Sequence, residues 1–340
     1  MFNLTNIVRP NIVALQPYSS ARDEFEGSEG IFLDANENPF GILNRYPDPL
    51  QKQLKQRLGE IKGIDSQNTF IGNGSDEAID LCLRIFCEPG KDKVLTFSPT
   101  YGMYQVAADI NNVELITLPL NGNFQVDFEQ SLPLLQDETL KIIFICSPNN
   151  PTGNTVDGIE TLLQNFSGVV VVDEAYADFN DASLLGRLAQ YPNLIILQTL
   201  SKAWGLAAAR VGMAFASTEI IKLFNKVKPP YNISSLNYTA AIQALADTQG
   251  FESRKALLIS EREKLALALA ELPLVTTVYP SDANFILIAV TDADAVYNTL
   301  AQEGIIIRNR SKVVPGGLRI SIGTPAENAT LVTALKNLSA

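Results

Sequence analysis

From about residue 65 to residue 216 the chain alternates two hydrophobic patterns. Short runs rich in β-branched residues, "NTFIG", "KVLTF", "VELITL", "KIIFI", "GVVVVDE", "LIILQTL" and "VGMAFA", predict seven strands. Segments between them, such as "SDEAIDLCLRIF" and "VDGIETLLQNF", carry apolar residues at helical spacing. Strands alternating with helices predict an α/β fold built on a mainly parallel, helix-covered sheet. Runs as apolar as "GVVVV" fit strands buried on both faces.

The pattern changes after "KPPYNISS". A long helical segment is expected from about Ser235 to Leu272, then the strand "NFILIAV", a helix around Ala293 to Glu303, the strands "GIIIRNR" and "GLRISIG", and a last helix. That order suggests a smaller α+β domain, with a hinge at the prolines 229 and 230. The expected division is an amino-terminal arm, 1–33, packing with the small domain, a large domain, 34–232, and the small domain, 233–340.

Composition narrows the chemistry. A formal net charge of -11 with no basic cluster argues against nucleic acid, which is bound through gathered Lys and Arg. The amino terminus lacks the continuous apolar core of an export signal, and the apolar runs are too short to cross a bilayer, so a cytoplasmic protein is expected. Cys82, Cys87 and Cys146 have neither metal-ligand spacing nor an even count, so no metal site and no disulfide framework are expected. Histidine is absent altogether. This removes Ser-His-Asp and Cys-His nucleophile systems and HExxH hydrolases, and leaves Lys, Tyr, Asp, Glu or a cofactor to carry protons.

In open α/β sheets, ligands sit beyond the carboxyl ends of the strands. Here "KIIFI" runs into "CSPNNPTG", "GVVVV" into "DEAY", and "LIILQTL" into "SKAWG", which delivers Asn150, Asp173 with Tyr176, and Lys202 to one edge. Taken singly, each has a plainer reading: a solvated loop lysine, a helix-capping aspartate, a turn asparagine. Together they meet the needs of pyridoxal phosphate, which takes a lysine for its Schiff base, a carboxylate for its ring nitrogen, and donors for its phenolic oxygen. For the phosphate, "GNGSDEAI" offers a glycine turn entering a helix, where Gly74, Ser75 and Asp76 present free N–H groups. Thr199 and Ser201 add hydroxyls and Arg210 a positive charge. The G-x-G-x-x-G spacing of a dinucleotide site is missing, which disfavours a nicotinamide-dependent dehydrogenase.

The motifs "SPNNPTG", "DEAY" and "TLSKAWGLAAAR", each directly after a strand, resemble those of the fold-type I pyridoxal-phosphate aminotransferases. "LDANENPFG" at Leu33–Gly41, "RYPDP" at Arg45–Pro49 and "GNGSDE" at Gly72–Glu77 are most similar to the histidinol-phosphate aminotransferases, and the similarity covers nearly the whole chain. The resemblance implies transamination between histidinol phosphate and 2-oxoglutarate in histidine biosynthesis. It implies a homodimer in which Tyr46 reaches the neighbouring subunit's cofactor phosphate. It also implies that Tyr101 stacks on the pyridine ring, and that Tyr18, Asn36, Arg308 and Arg319 line the substrate pocket. Lys202, Asp173 and Tyr176 are the expected catalytic residues. A threonine-phosphate decarboxylase and an aromatic or broad-specificity aminotransferase of the same fold remain alternatives.

Overall fold

The structure is a computed structural model that describes residues 2–18 and 30–338. All seven expected strands form: β1 (Thr69–Asn73), β2 (Lys93–Ser98), β3 (Glu114–Pro119), β4 (Leu140–Cys146), β5 (Val169–Asp173), β6 (Leu194–Thr199) and β7 (Val211–Phe215). They make one sheet in the order β1-β7-β6-β5-β4-β2-β3, parallel except for β7, which is antiparallel to both β6 and β1. Two reversals cancel, so β1 runs the same way as β4, β5 and β6, and all four end at one edge. The register places Cys146 beside Asp173 and Asp173 beside Leu197.

Each central strand feeds two cores. Side chains alternate along a strand, so Val170 and Val172 of β5 join one apolar cluster while Val169 and Val171 join the other. β4 and β6 divide likewise, with Ile143 and Ile196 on one side and Ile142 and Ile195 on the other. The helix Ser75–Phe86 covers the second face with Ile79, Cys82, Leu83 and Phe86, and its first turn carries Asp76 and Glu77, the sign its dipole favours.

The described part of the amino-terminal arm corrects the expectation that it packs with the small domain. Its short helices put Ile7, Val8 and Ile12 into the second core, beside Phe86 and Phe224 of the large sheet's helical layer. Arg9 donates its backbone N–H to Ile85 O at 3.0 Å and its guanidinium to Glu88 at 3.1 Å, and Lys226 Nζ donates to Val13 O at 2.9 Å. Those helices leave an apolar margin that a neighbouring chain segment must cover, and the arm supplies it.

The first core extends past residue 232: Ile233, Ala241, Leu245 and Phe251 belong to it, with Trp204 stacked on Phe251 at 3.8 Å. The long helical segment is two helices, Ser235–Ala246 and Thr248–Ala270, parted where the Asp247 carboxylate caps the second by accepting from Gly250 N–H. Beyond it a third core, from Leu265 to Leu335, supports an antiparallel sheet in the order β10-β11-β9-β8, formed by β8 (Val275–Val278), β9 (Phe285–Val290), β10 (Arg308–Asn309) and β11 (Gly317–Ser321). Strand β8 has no counterpart in the sequence reading, because its half-exposed "VTTV" lies at the sheet edge and carries little apolar signal. Only Arg308–Asn309 of "GIIIRNR" pairs as a strand.

Candidate active site

A cavity of about 540 Å³ opens where the ends of β1, β4, β5 and β6 meet the small sheet. Asn150, Asp173, Tyr176 and Lys202 all line it. The convergence follows from topology: β4, β5 and β6 are parallel neighbours, so the residues that follow them emerge side by side.

Asp173 lies deepest. It is 2% exposed; Oδ2 accepts from the Tyr104 hydroxyl at 3.0 Å and Oδ1 from Ala175 N–H at 3.1 Å. Burial pushes its carboxyl up from 3.8 to about 6, against the pull of those two donors. No cation pairs with it among the described residues, so it suits a protonated ring nitrogen. Lys202 is half-buried, its Nζ 5.6 Å from the centroid of the Tyr176 ring. Burial and then the charge of Arg319 lower its proton affinity, as a lysine that must react as a free amine requires. Tyr176 is buried, packs edge-on to Phe285 and has its hydroxyl proton held more tightly by burial.

On the other side of the cavity, Gly74 enters the helix at φ 73° with no side-chain cap, which leaves the first-turn N–H groups of Ser75 and Asp76 free for an anion. A Cβ on Gly74 would stand 2.7 Å from Arg210 Nη2, and one on Gly212 of β7 would collide with the Gly74–Ser75 backbone, so two glycines keep this cup open. Arg210 holds the cup twice. Its carbonyl accepts from Gly74 N–H at 2.9 Å, and Nη2 lies 3.5 Å from Asp76 Oδ2. Thr199 and Ser201 face it, linked by a 2.9 Å hydroxyl hydrogen bond. An uncapped helix start, two hydroxyls and a guanidinium form a donor set that fits a phosphate.

Tyr101 lines the cavity with its hydroxyl donated to Asp76 Oδ1 at 3.1 Å, edge-on to Tyr104 at 5.7 Å. Arg308 and Arg319 line the small-domain side, and Arg319 Nη1 donates to Asn150 Oδ1. The neighbouring Asn149 is scaffold: its Nδ2 donates to Pro99 O and Thr152 Oγ1.

Three expected residues are not brought into this cavity by the chain itself. Tyr18 is 72% exposed, Asn36 is exposed at φ 55°, and Tyr46 is half-exposed, stacked on Tyr231 at 4.4 Å. The physical reason is shared by the last two. They lie in a bent stretch without helix or strand, where Glu37 fixes the local course by accepting from Arg45 Nη1 and from Tyr46 N–H, both at 2.6 Å. Two residues that sequence reasoning missed are Tyr104 and Arg310. Tyr104 was visible in "SPTYGMY" at helical spacing from Tyr101, and Arg310 in the alternation of "RNR".

Comparison with known proteins agrees with this fold. Residues 28–335 match the family described as aminotransferase class I and II. The chain belongs to that family. Among curated aminotransferases it is 54% identical to the histidinol-phosphate aminotransferase of Parabacteroides distasonis, over 99% of both chains. It is 50% identical to the one from Cytophaga hutchinsonii, over 98% of this chain and 99% of that one. Of solved aminotransferases, the histidinol-phosphate aminotransferase from Sinorhizobium meliloti, in complex with pyridoxal-5'-phosphate, superposes with a TM-score of 0.79 at 26% identity, covering 86% of this chain and 83% of that one. The fold is therefore the fold-type I architecture that the motif resemblance implies, on the mainly parallel sheet expected from the strand pattern. No helix among the described residues is long and apolar enough to cross a membrane.

Proposed function

We propose that the protein is a pyridoxal-phosphate-dependent histidinol-phosphate aminotransferase, which exchanges the amino group between histidinol phosphate and 2-oxoglutarate to give imidazole acetol phosphate and glutamate in histidine biosynthesis. The observation that carries this reading is the meeting of Lys202, a buried Asp173 without a cation, and an open phosphate cup in one cavity faced by arginines. Relatives that are 50% identical or more over nearly the whole chain support the substrate.

When bound, pyridoxal phosphate supplies an aldehyde for amine exchange and a ring that withdraws electrons. Asp173 holds the proton on the ring nitrogen, where its burial makes the ion pair strong. Asn150 and Tyr176 would donate to the phenolic oxygen, and the Ser75 and Asp76 N–H groups with Thr199, Ser201 and Arg210 to the phosphate; Gly74, expected as a further donor, has its N–H held by the Arg210 carbonyl and would serve by keeping the cup open. Lys202 Nζ anchors the group, and once free it takes the proton from the substrate carbon bearing the amine. Its lowered proton affinity lets it do so near neutral pH. Arg319 and Arg308 receive the substrate's anionic group.

A homodimer completes the site in this reading. Ile31, Leu33, Phe40 and Ile42 are each more than 80% exposed in the single chain, an apolar stretch that a second copy would cover. Tyr46 follows that stretch and, in this reading, would reach the partner's phosphate cup. Tyr18 and Asn36 would likewise contribute from these exposed segments, and a cytoplasmic setting suits a chain with three buried, free cysteines.

The test is transfer of the amino group from glutamate to imidazole acetol phosphate by purified enzyme, alongside a CO₂ assay with threonine phosphate. Keto-acid-dependent transfer that is lost, together with the cofactor's visible absorbance, in Lys202→Ala supports the reading. Decarboxylation without transfer, or a Lys202→Ala variant that keeps both absorbance and turnover, would refute it.

A further inference from the structure

We infer that Arg310 is a specificity-determining residue: its guanidinium joins those of Arg308 and Arg319 to make the cavity favour a phosphate monoester dianion over a carboxylate. This rests on the aminotransferase reading and refines it, because it assigns the side chain that separates the two amino donors.

The placement follows from strand geometry. Residues two apart on an extended segment share a face, so Arg308 and Arg310 point the same way. Arg308 stands directly opposite Arg319 in the β10–β11 ladder. Arg310 comes opposite Gly317, to whose carbonyl it donates its N–H at 2.8 Å, and no side chain there competes for the space. All three arginines line the cavity.

Such a cluster is unfavourable when nothing anionic is bound. Like charges facing each other across a ladder destabilise it. Among the described residues, none of the three forms an ion pair with a carboxylate. The Nε groups of both Arg310 and Arg319 are buried without an acceptor, which costs most when the group is charged. Burial, then Arg319 and Arg308, weaken the hold of Arg310 on its own proton. The cavity's other charges do not offset this, since Asp76 is engaged by Arg210 and Tyr101, and Asp173 by Tyr104. Three unmatched cations call for a ligand with more charge and more acceptor oxygens than one carboxylate. A phosphate monoester has three free oxygens and a charge of about −2 near pH 7. Glutamate carries its two negative charges on separate carboxylates, each with two oxygens and one charge, so that neither concentrates as much charge on one group and either is satisfied by Arg319 and Arg308 alone.

The experiment separates the two half-reactions of the holoenzyme in single turnovers, with glutamate in one and histidinol phosphate in the other, for wild type, Arg310→Gln and Arg310→Lys. In Arg310→Gln the half-saturation for the phosphorylated donor should rise about 10- to 100-fold, the range for one charge-assisted hydrogen bond. The glutamate half-reaction should change far less, and Arg310→Lys should recover part of the loss, because lysine restores the charge without the fork. Wild-type affinity for the phosphorylated donor should also fall as pH drops through about 6, where the phosphate takes up its second proton, and this slope should flatten in Arg310→Gln. Equal losses for both donors, or no loss for either, would overturn the inference. Competition by inorganic phosphate against glutamate provides a separate reading. A wild-type enzyme inert toward histidinol phosphate but inhibited by phosphate through Arg310 would defeat the proposed substrate and leave this inference standing.

Discussion

Replacing Asp173 by Asn should remove activity and, in the cofactor-free protein, raise stability at alkaline pH. Asp173 is buried, and desolvation pushes its carboxyl from 3.8 up to about 6, outweighing the Tyr104 and Ala175 donors. That rise is worth about 3 kcal/mol in favour of the protonated form. The folded value lies above the unfolded one, so this stabilisation is complete below pH 3.8 and is lost as pH rises through about 6. Roughly 1.4 kcal/mol of it disappears between pH 5 and pH 8. An amide of the same shape has no proton to lose. Urea denaturation of cofactor-free wild type and Asp173→Asn at pH 5, 6, 7 and 8 isolates the effect, because every other titrating group is common to both. The variant should gain on wild type by about 1 to 2 kcal/mol across that range. If the two curves run parallel, or the variant loses ground as pH rises, the carboxylate is not the strained, cation-seeking group described here. With the cofactor bound the order should reverse, since the ring nitrogen then meets a carboxylate in the wild type alone.

Two further outcomes follow from the site. Tyr104→Phe keeps the ring stacked on Phe144 but removes the donor that holds down the Asp173 carboxyl, so kcat should fall by about tenfold while substrate KM stays close to wild type. A parallel rise in KM would mean that the tyrosine merely shapes the pocket. If Tyr46 serves the partner's site, mixing inactive Tyr46→Ala with inactive Lys202→Ala should restore about a quarter of wild-type activity, because hybrid dimers carry one intact site. No recovery in subunit-exchange assays would place Tyr46 in the site of its own chain.

The strand pattern and the residues after each strand were enough to anticipate the large sheet and most of the cavity wall. The reason is local: β4, β5 and β6 announce themselves by apolar runs, parallel pairing aligns their ends, Asp173 closes β5, and Asn150 and Lys202 follow β4 and β6 within a few residues. Glycine turns such as Gly74 are equally local, because they answer a backbone demand at one position. What lay beyond the sequence depends on contacts between distant segments. Nothing near Tyr104 says that its hydroxyl meets Asp173, 69 residues away. Nothing in "RNR" says that Arg308 will face Arg319, since a ladder register is set by packing of whole strands. The arm's short apolar stretch fits either domain, and only the uncovered margin beside Phe86 and Phe224 decides which one it joins. Periodicity along a chain fixes which faces are apolar and where strands end; which faces meet is chosen by the burial they achieve together.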